Sequence, residues 1–283
     1  MSKKLKTPTT QPVLPPIPDG LSMPFYYHSL LNCELFFYVK PDILQPYLSD
    51  TGLSLALMDD YGIVTYNFQN YTAQFAGFDS VALELEYNIL AYPTSRAKNT
   101  PTLTLAEFLH GDDQTKLIGN HHVHVACTNA NAVDAGKKLF SEPKLLANIN
   151  SNVPSPNSPA VDTWSFVCSD YDQANPGNTQ PMILQTDIDL RSFEPVIGNA
   201  SPNTEYGYVN NKLVSARWNI YGEFLTYSPE SGRPLNVKLT YGTSALPMRT
   251  DAQKMLDGAR CGAVRTFQSA PVATQARAFF VDP

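Results

Sequence analysis

The chain has 283 residues, 43% of them hydrophobic and 16% charged, with a formal net charge of −6. That length supports one large domain or two small ones, and the low charged fraction leaves enough apolar surface for a sizeable core. The acidic balance, without a basic patch, argues against nucleic acid as a partner, and no apolar run is long enough to span a bilayer.

Residues 1–20 are rich in Lys, Pro, Thr and Gln and hold few large apolar side chains. They bury too little to offset ordering entropy, so they read as a flexible arm before a single domain over 21–283. No apolar segment follows Lys3, Lys4 and Lys6, which is not the pattern of a secretory signal, and the expected location is the cytoplasm. Cys33, Cys127, Cys168 and Cys261 have no metal or redox spacing and read as reduced, mostly buried thiols.

Most of the chain reads as strand. Segments 34–40 and 63–69 are aromatic and β-branched. Over 81–90, Val81, Leu83, Leu85, Tyr87 and Ile89 alternate with Ala82, Glu84, Glu86 and Asn88. Further strands are expected at 121–128, 161–168, 217–227 and 235–241. Helical signals are few: a short turn opening at Pro41, a helix over 130–140, and another over 250–258 capped by Thr250 or Asp251 and stopped by Gly258. Long polar loops at 94–102, 151–160 and 170–181 separate them. Many strands and few helices indicate an α+β, mainly antiparallel chain whose sheet curls or closes into a cone-like barrel, removing exposed edges and offering an enclosed interior.

Lys144 is the candidate reactive residue. It lies between Pro143 and the apolar pair Leu145-Leu146, just after the 130–140 helix. Burial would disfavour its ammonium form, and a neutral amine attacks carbonyls to form a Schiff base. The ordinary alternative is a surface lysine whose stem packs on apolar neighbours while its head stays wet. Glu142 shares a face with position 144 in extended chain and is a candidate acid or base, but a carboxylate there would raise the lysine pKa. Its ordinary reading is a solvated turn residue. Glu84 is a third candidate. Glu86 on the same strand face reads as its wet side. His122 and His124 project together if the strand is regular, but two ligands are too few for a metal, and exposed strand histidines are the simpler account. No phosphate loop, dinucleotide fingerprint or nucleophile elbow is present, so no cofactor is expected.

The stretch Ala130–Leu146 resembles the acetoacetate decarboxylase superfamily, through Gly136-Lys137, Phe140 and Pro143-Lys144. Tyr38 to Leu44, a strand running into a Pro-led short helix, is similar in style, as is Ala276 to Phe280. The resemblance implies a Schiff-base lysine at Lys144 and an acid on the strand 81–90, where Ser80 falls at the family position and Glu84 lies further along. The family's second lysine is Leu145 here, the aromatic two residues before the lysine is Glu142, and a family arginine near the first strand has no counterpart. Any pKa depression at Lys144 would therefore come from desolvation. With these departures, the resemblance implies a divergent lyase acting on a keto acid or other carbonyl compound, by decarboxylation or by aldol, dehydration or cyclisation chemistry. The alternatives are a non-catalytic small-molecule-binding barrel, or a non-covalent enzyme using the same cavity. The resemblance also implies a homo-oligomer.

Overall fold

The computed structural model describes residues 14–74, 79–154, 163–175, 179–230, 233–269 and 273–282. The first thirteen residues of the expected arm lie outside them, as do 155–160 and 176–178 of the expected polar loops and the first two residues of the expected strand 161–168. Within the described part of the arm, buried Pro15 accepts a hydrogen bond from Arg277 Nε at 3.0 Å, so ordered chain begins before residue 20.

Nine strands build the region of interest: β1 (Phe25–Val39), β2 (Tyr61–Gln74), β3 (Asp79–Pro93), β4 (Gly119–Cys127), β5 (Lys144–Leu146), β6 (Asn203–Val209), β7 (Lys212–Ile220), β8 (Arg260–Ser269) and β9 (Ala273–Gln275). Two helices matter here, α1 (Leu105–His110) and α2 (Ala130–Phe140). Among the described residues the nine strands belong to a fourteen-stranded sheet, and a second sheet of four antiparallel strands includes Thr163–Ser169 and Met182–Asp189. The large sheet is mixed, because β4 pairs in parallel with both β5 and β6.

Pairings run from β1 through β2, β3, β4, β6, β7 and β9 back to β1, so the sheet curls. Of the two expected forms, curled or closed, the curled one describes it and a simple closed barrel does not. β1 also pairs with β8, which leads to a separate edge, and short strands branch from β3, β4 and β7. No helix among the described residues is long and apolar enough to cross a membrane.

Strand periodicity explains how the two faces of the sheet differ. Leu35, Phe37, Tyr66, Phe68, Leu85 and Tyr87 pack outward in one core cluster with the second sheet. Phe68 stacks on Phe166 at 4.6 Å between ring centroids, and Tyr66 accepts a hydrogen bond from Thr186 at 2.9 Å. The opposite face is layered. It is apolar at one end (Leu30, Tyr71, Ala73, Ala82, Phe267), where α2 packs. It is apolar again at the other (Phe36, Leu90, Ala263), where α1 packs. Between them lies a buried polar belt that includes Asn32, Glu34, Asn67, Gln69, Glu84, Glu86, Asn88 and Arg265. The strand 81–90 alternates as expected, but its polar face is enclosed rather than wet.

Of the expected helices, 130–140 is found as Ala130–Phe140, and the last runs from Pro247 to Leu256 with proline in its first turn. The expected strand 217–227 is interrupted between Ile220 and Phe224. Helix α1 falls outside the expected set. Thr104 and Glu107 form its capping box, a spacing legible in the sequence.

Candidate active site

Helix α2 and the turn after it deliver Lys144. Asn129 caps the helix, its side chain accepting from the Asn131 and Ala132 amides at 2.9 and 3.2 Å. The helix ends at Ser141 in the left-handed conformation, and the Ser141 hydroxyl donates to the Tyr208 carbonyl at 2.7 Å. The chain then enters β5, where Lys144 lies beside Val125 of β4. Gly136 is needed for this approach. A Cβ there would collide with the Glu142 carboxylate and come within 2.9 Å of Lys144 Cδ.

Lys144 is buried, 8% exposed, and its Nζ lies 2.5 Å from Glu84 Oε1 and 3.3 Å from Glu142 Oε2. All three sequence candidates therefore meet at one point. The expectation of a neutral amine is not met. Burial is the largest influence and pushes the lysine pKa down, but Glu142 and Glu84 together outweigh it, and the ammonium is held well above its ordinary range. Glu142 is not a solvated turn residue, since its side chain is only 12% exposed.

Glu86, read from sequence as the wet side of a strand, is buried behind this group. It accepts from Gln69 Nε2 at 2.9 Å, Asn88 Nδ2 at 3.1 Å and Asn67 Nδ2 at 3.4 Å. Burial, followed by the charge of Glu84, pushes its pKa up to about 8. Glu205 on β6, which no sequence signal singles out, joins the group partly exposed. Loss of hydration and then Glu86 and Glu142 raise its pKa as well. Tyr71 donates to Glu84 Oε1 at 2.7 Å.

The histidines separate. A bulge in the β3–β4 register between Tyr87 and Asn88 sets His122 opposite Asn88 and His124 opposite Tyr87. His122 is buried and bonds Asn88 Oδ1 at 2.7 Å, with burial lowering its pKa, while His124 bonds Asp251 at 2.7 Å. Neither is the exposed strand histidine expected, and among the described residues no group of three or more His, Cys, Asp or Glu could hold a metal ion.

These side chains enclose a cavity of about 40 Å³. On a measure where ~10–15 Å³ holds one water, that is room for a few heavy atoms. Lys144, Glu84, Glu86, Glu142, Glu205 and His122 are its ionisable lining beside two tyrosines, and α2 closes one side through Ala132, Ala135, Gly136 and Phe140. Trp218 on β7 and Gln275 on β9 complete the lining. They face each other in register and both are buried. Among the described residues, Trp218 Nε1 and Gln275 Nε2 have no hydrogen-bond partner.

No protein family and no curated protein matches the chain by sequence. Solved structures match along nearly its whole length. An acetoacetate decarboxylase from Legionella pneumophila superposes with a TM-score of 0.61 at 11% identity, covering 96% of this chain and 93% of its own. The chain has the acetoacetate decarboxylase-like fold. An acetoacetate decarboxylase-like enzyme from Sphingomonas wittichii matches with a TM-score of 0.57 at 11% identity, over 93% of this chain and 94% of that one. The enduracididine biosynthesis enzyme MppR, complexed with the condensation product of pyruvate and imidazole 4-carboxaldehyde, matches at 0.58 and 12% over 97% and 98%. The likeness read around Lys144 therefore agrees with the fold of the whole described chain, at identities of 11–12%.

Proposed function

We propose that the chain is an enzyme that forms a Schiff base between Lys144 and a small carbonyl compound and then carries out proton-transfer chemistry on it. The observation that carries this reading is the buried Lys144 Nζ held between Glu84 and Glu142 at the edge of a cavity. Carboxylates that favour the ammonium also favour an iminium, since both are cations on the same nitrogen. The cage therefore disfavours the free amine but stabilises the intermediate that does the chemistry.

Lys144 first gives a proton to Glu84, and the freed amine attacks the carbonyl carbon. A C–N bond forms as the carbonyl oxygen takes a proton from Glu86, which still holds one at neutral pH. The nitrogen then gives up one proton, which Glu86, now ionised, relays to that same oxygen, and water leaves as the C–O bond breaks, giving the iminium. Glu142, beside the same nitrogen, removes a proton from the neighbouring carbon to give an enamine. Simple decarboxylation needs only the electron sink. Several carboxylates around one lysine suit aldol, dehydration or cyclisation chemistry better, because each of those moves protons to and from carbon and oxygen.

The same electrostatics favour a second reading, in which Lys144 stays an ammonium and acts as a fixed charge without covalent bonding. Reductive trapping separates the two. Incubation with small ketones and cyanoborohydride, followed by peptide mapping, is expected to leave a stable secondary amine on Lys144. Absence of that adduct with every ketone tried, together with turnover that survives Lys144→Ala, would overturn the covalent reading in favour of the second.

A further inference from the structure

The cavity is built for oxygen, but not for an anion. Among the described residues its lining holds four carboxylates, from Glu84, Glu86, Glu142 and Glu205, against one ammonium, and no arginine. Arg265, on the same polar face, is paired with Glu34 at 2.5 Å and lines a different cavity. A substrate carboxylate entering beside Lys144 would compete with Glu84 and Glu142 for the same nitrogen. Burial beside other carboxylates raises the pKa of both Glu86 and Glu205, so a further negative charge in this enclosure is disfavoured.

Among the described residues, the two donors of this lining without partners, Trp218 Nε1 and Gln275 Nε2, are both neutral. Trp218 is 3% exposed and Gln275 6%, and they sit directly opposite each other on neighbouring strands. An indole N–H can only donate, and a buried donor left unmade is costly, so this pair calls for an acceptor that the described residues do not supply. Neutral donors hold a carbonyl, hydroxyl or amide oxygen. The strongest contacts to a carboxylate are charge-assisted and often bidentate to arginine, and among the described residues this lining has no arginine.

Resting on the Schiff-base reading, we infer that the substrate is a small uncharged carbonyl compound carrying a second oxygen, with its carbonyl carbon at Lys144 and the second oxygen held by Trp218 Nε1–H and Gln275 Nε2–H. A hydroxyketone or a β-dicarbonyl compound has this chemistry, and a keto acid does not. The cavity volume limits the part enclosed to a few heavy atoms.

A matched set of ketones tests this. Hydroxyacetone and pyruvate differ at one end, CH2OH against COO−, and acetone has neither. Each is trapped at Lys144 with cyanoborohydride at pH 7, and each rate is divided by that of free Nα-acetyl-lysine with the same ketone. Hydroxyacetone is expected to label Lys144 at least tenfold faster than pyruvate on this scale. In Trp218→Phe and Gln275→Leu, checked for folding by circular dichroism, the ratio of hydroxyacetone to acetone labelling should fall toward that of free lysine. Equal or faster labelling by pyruvate overturns the inference while leaving the Schiff base intact. So does a hydroxyacetone advantage that both variants retain. No adduct from any of the three removes this inference, and together with turnover that survives Lys144→Ala it removes the Schiff-base reading as well.

Discussion

Lys144 and Arg265 lie on one rung of the sheet, with four strands between them. Register carries the line from Arg265 through Glu34, Asn67, Glu86 and Val125 to Lys144. Both cations are buried and both have a carboxylate oxygen at 2.5 Å. At Arg265 one charge meets one charge, and the guanidinium packs over Phe224 at 4.4 Å and Phe36 at 5.4 Å. At Lys144 one ammonium serves several carboxylates beside an open cavity. A balanced pair wedged between rings leaves no buried charge without a counterion. An unbalanced cluster must share protons, and shared protons are what acid–base chemistry uses. Burial of a charge alone thus does not single out a candidate site, whereas an unequal count of buried charges beside space does.

The largest effect is expected from breaking the balanced end. Arg265→Met leaves Glu34 buried without its counterion, and stability should fall by about 3–5 kcal/mol, measured by urea unfolding. Adding Glu34→Leu should recover much of that loss. A double variant as unstable as the single one would mean that the rings, not the ion pair, carry the energy.

Lys144→Met comes next. It should abolish reductive trapping and lower stability by about 3 kcal/mol at pH 8, the low end for a broken buried pair. Without the ammonium, the folded chain keeps protons on its carboxylates that the unfolded chain has released. Stability should then fall as pH rises, with the loss smaller at pH 5. A loss that is the same at both pH values would contradict the proton-sharing account of this cluster.

Glu86→Gln isolates one shared proton. The folded protein holds the Glu86 proton up to about pH 8, while an unfolded chain releases it near the ordinary 4.5. Between those values the folded state binds more protons, so stability declines with rising pH, by about 1.4 kcal/mol per unit at most for a single group. The glutamine variant should flatten that slope and be the more stable protein at pH 8. If Glu86 also protonates the carbonyl oxygen, trapping in the parent protein should fall off above about pH 8, and the variant should lack that limb.

Much of the fold is legible in the sequence because it obeys period and chemistry. The alternation at 81–90, the helix 130–140 and the Pro-Lys step all appear where residue spacing puts them. Sequence does not say which side of the alternation is enclosed. Glu84, Glu86 and Asn88 look like a solvated face until β1, β4 and the helices close over them, and closure is a matter of long-range pairing such as Glu34 with Arg265, 231 positions apart. The bulge that turns His122 inward and His124 outward leaves no mark on a two-residue period. The lysine's charge state is hidden for a related reason: its own burial is legible in its apolar neighbours, but the carboxylates buried with it look solvated. Trp218 and Gln275 are invisible as partners because they meet only through strand register.

The smallest effect has the most informative sign. Tyr71 donates to the same Glu84 oxygen that Lys144 contacts. Tyr71→Phe should lower stability by about 1.5 kcal/mol, the low end of the scale for a hydrogen bond to a charged acceptor, since Lys144 still contacts the same oxygen. A carboxylate with one donor fewer is also a better proton acceptor, so Glu84 should take the lysine proton more readily. Trapping at pH 7 should therefore become a few-fold faster in a less stable protein. Slower trapping would remove Glu84 as the acceptor of that proton and leave Glu142, 3.3 Å from the nitrogen, to receive it.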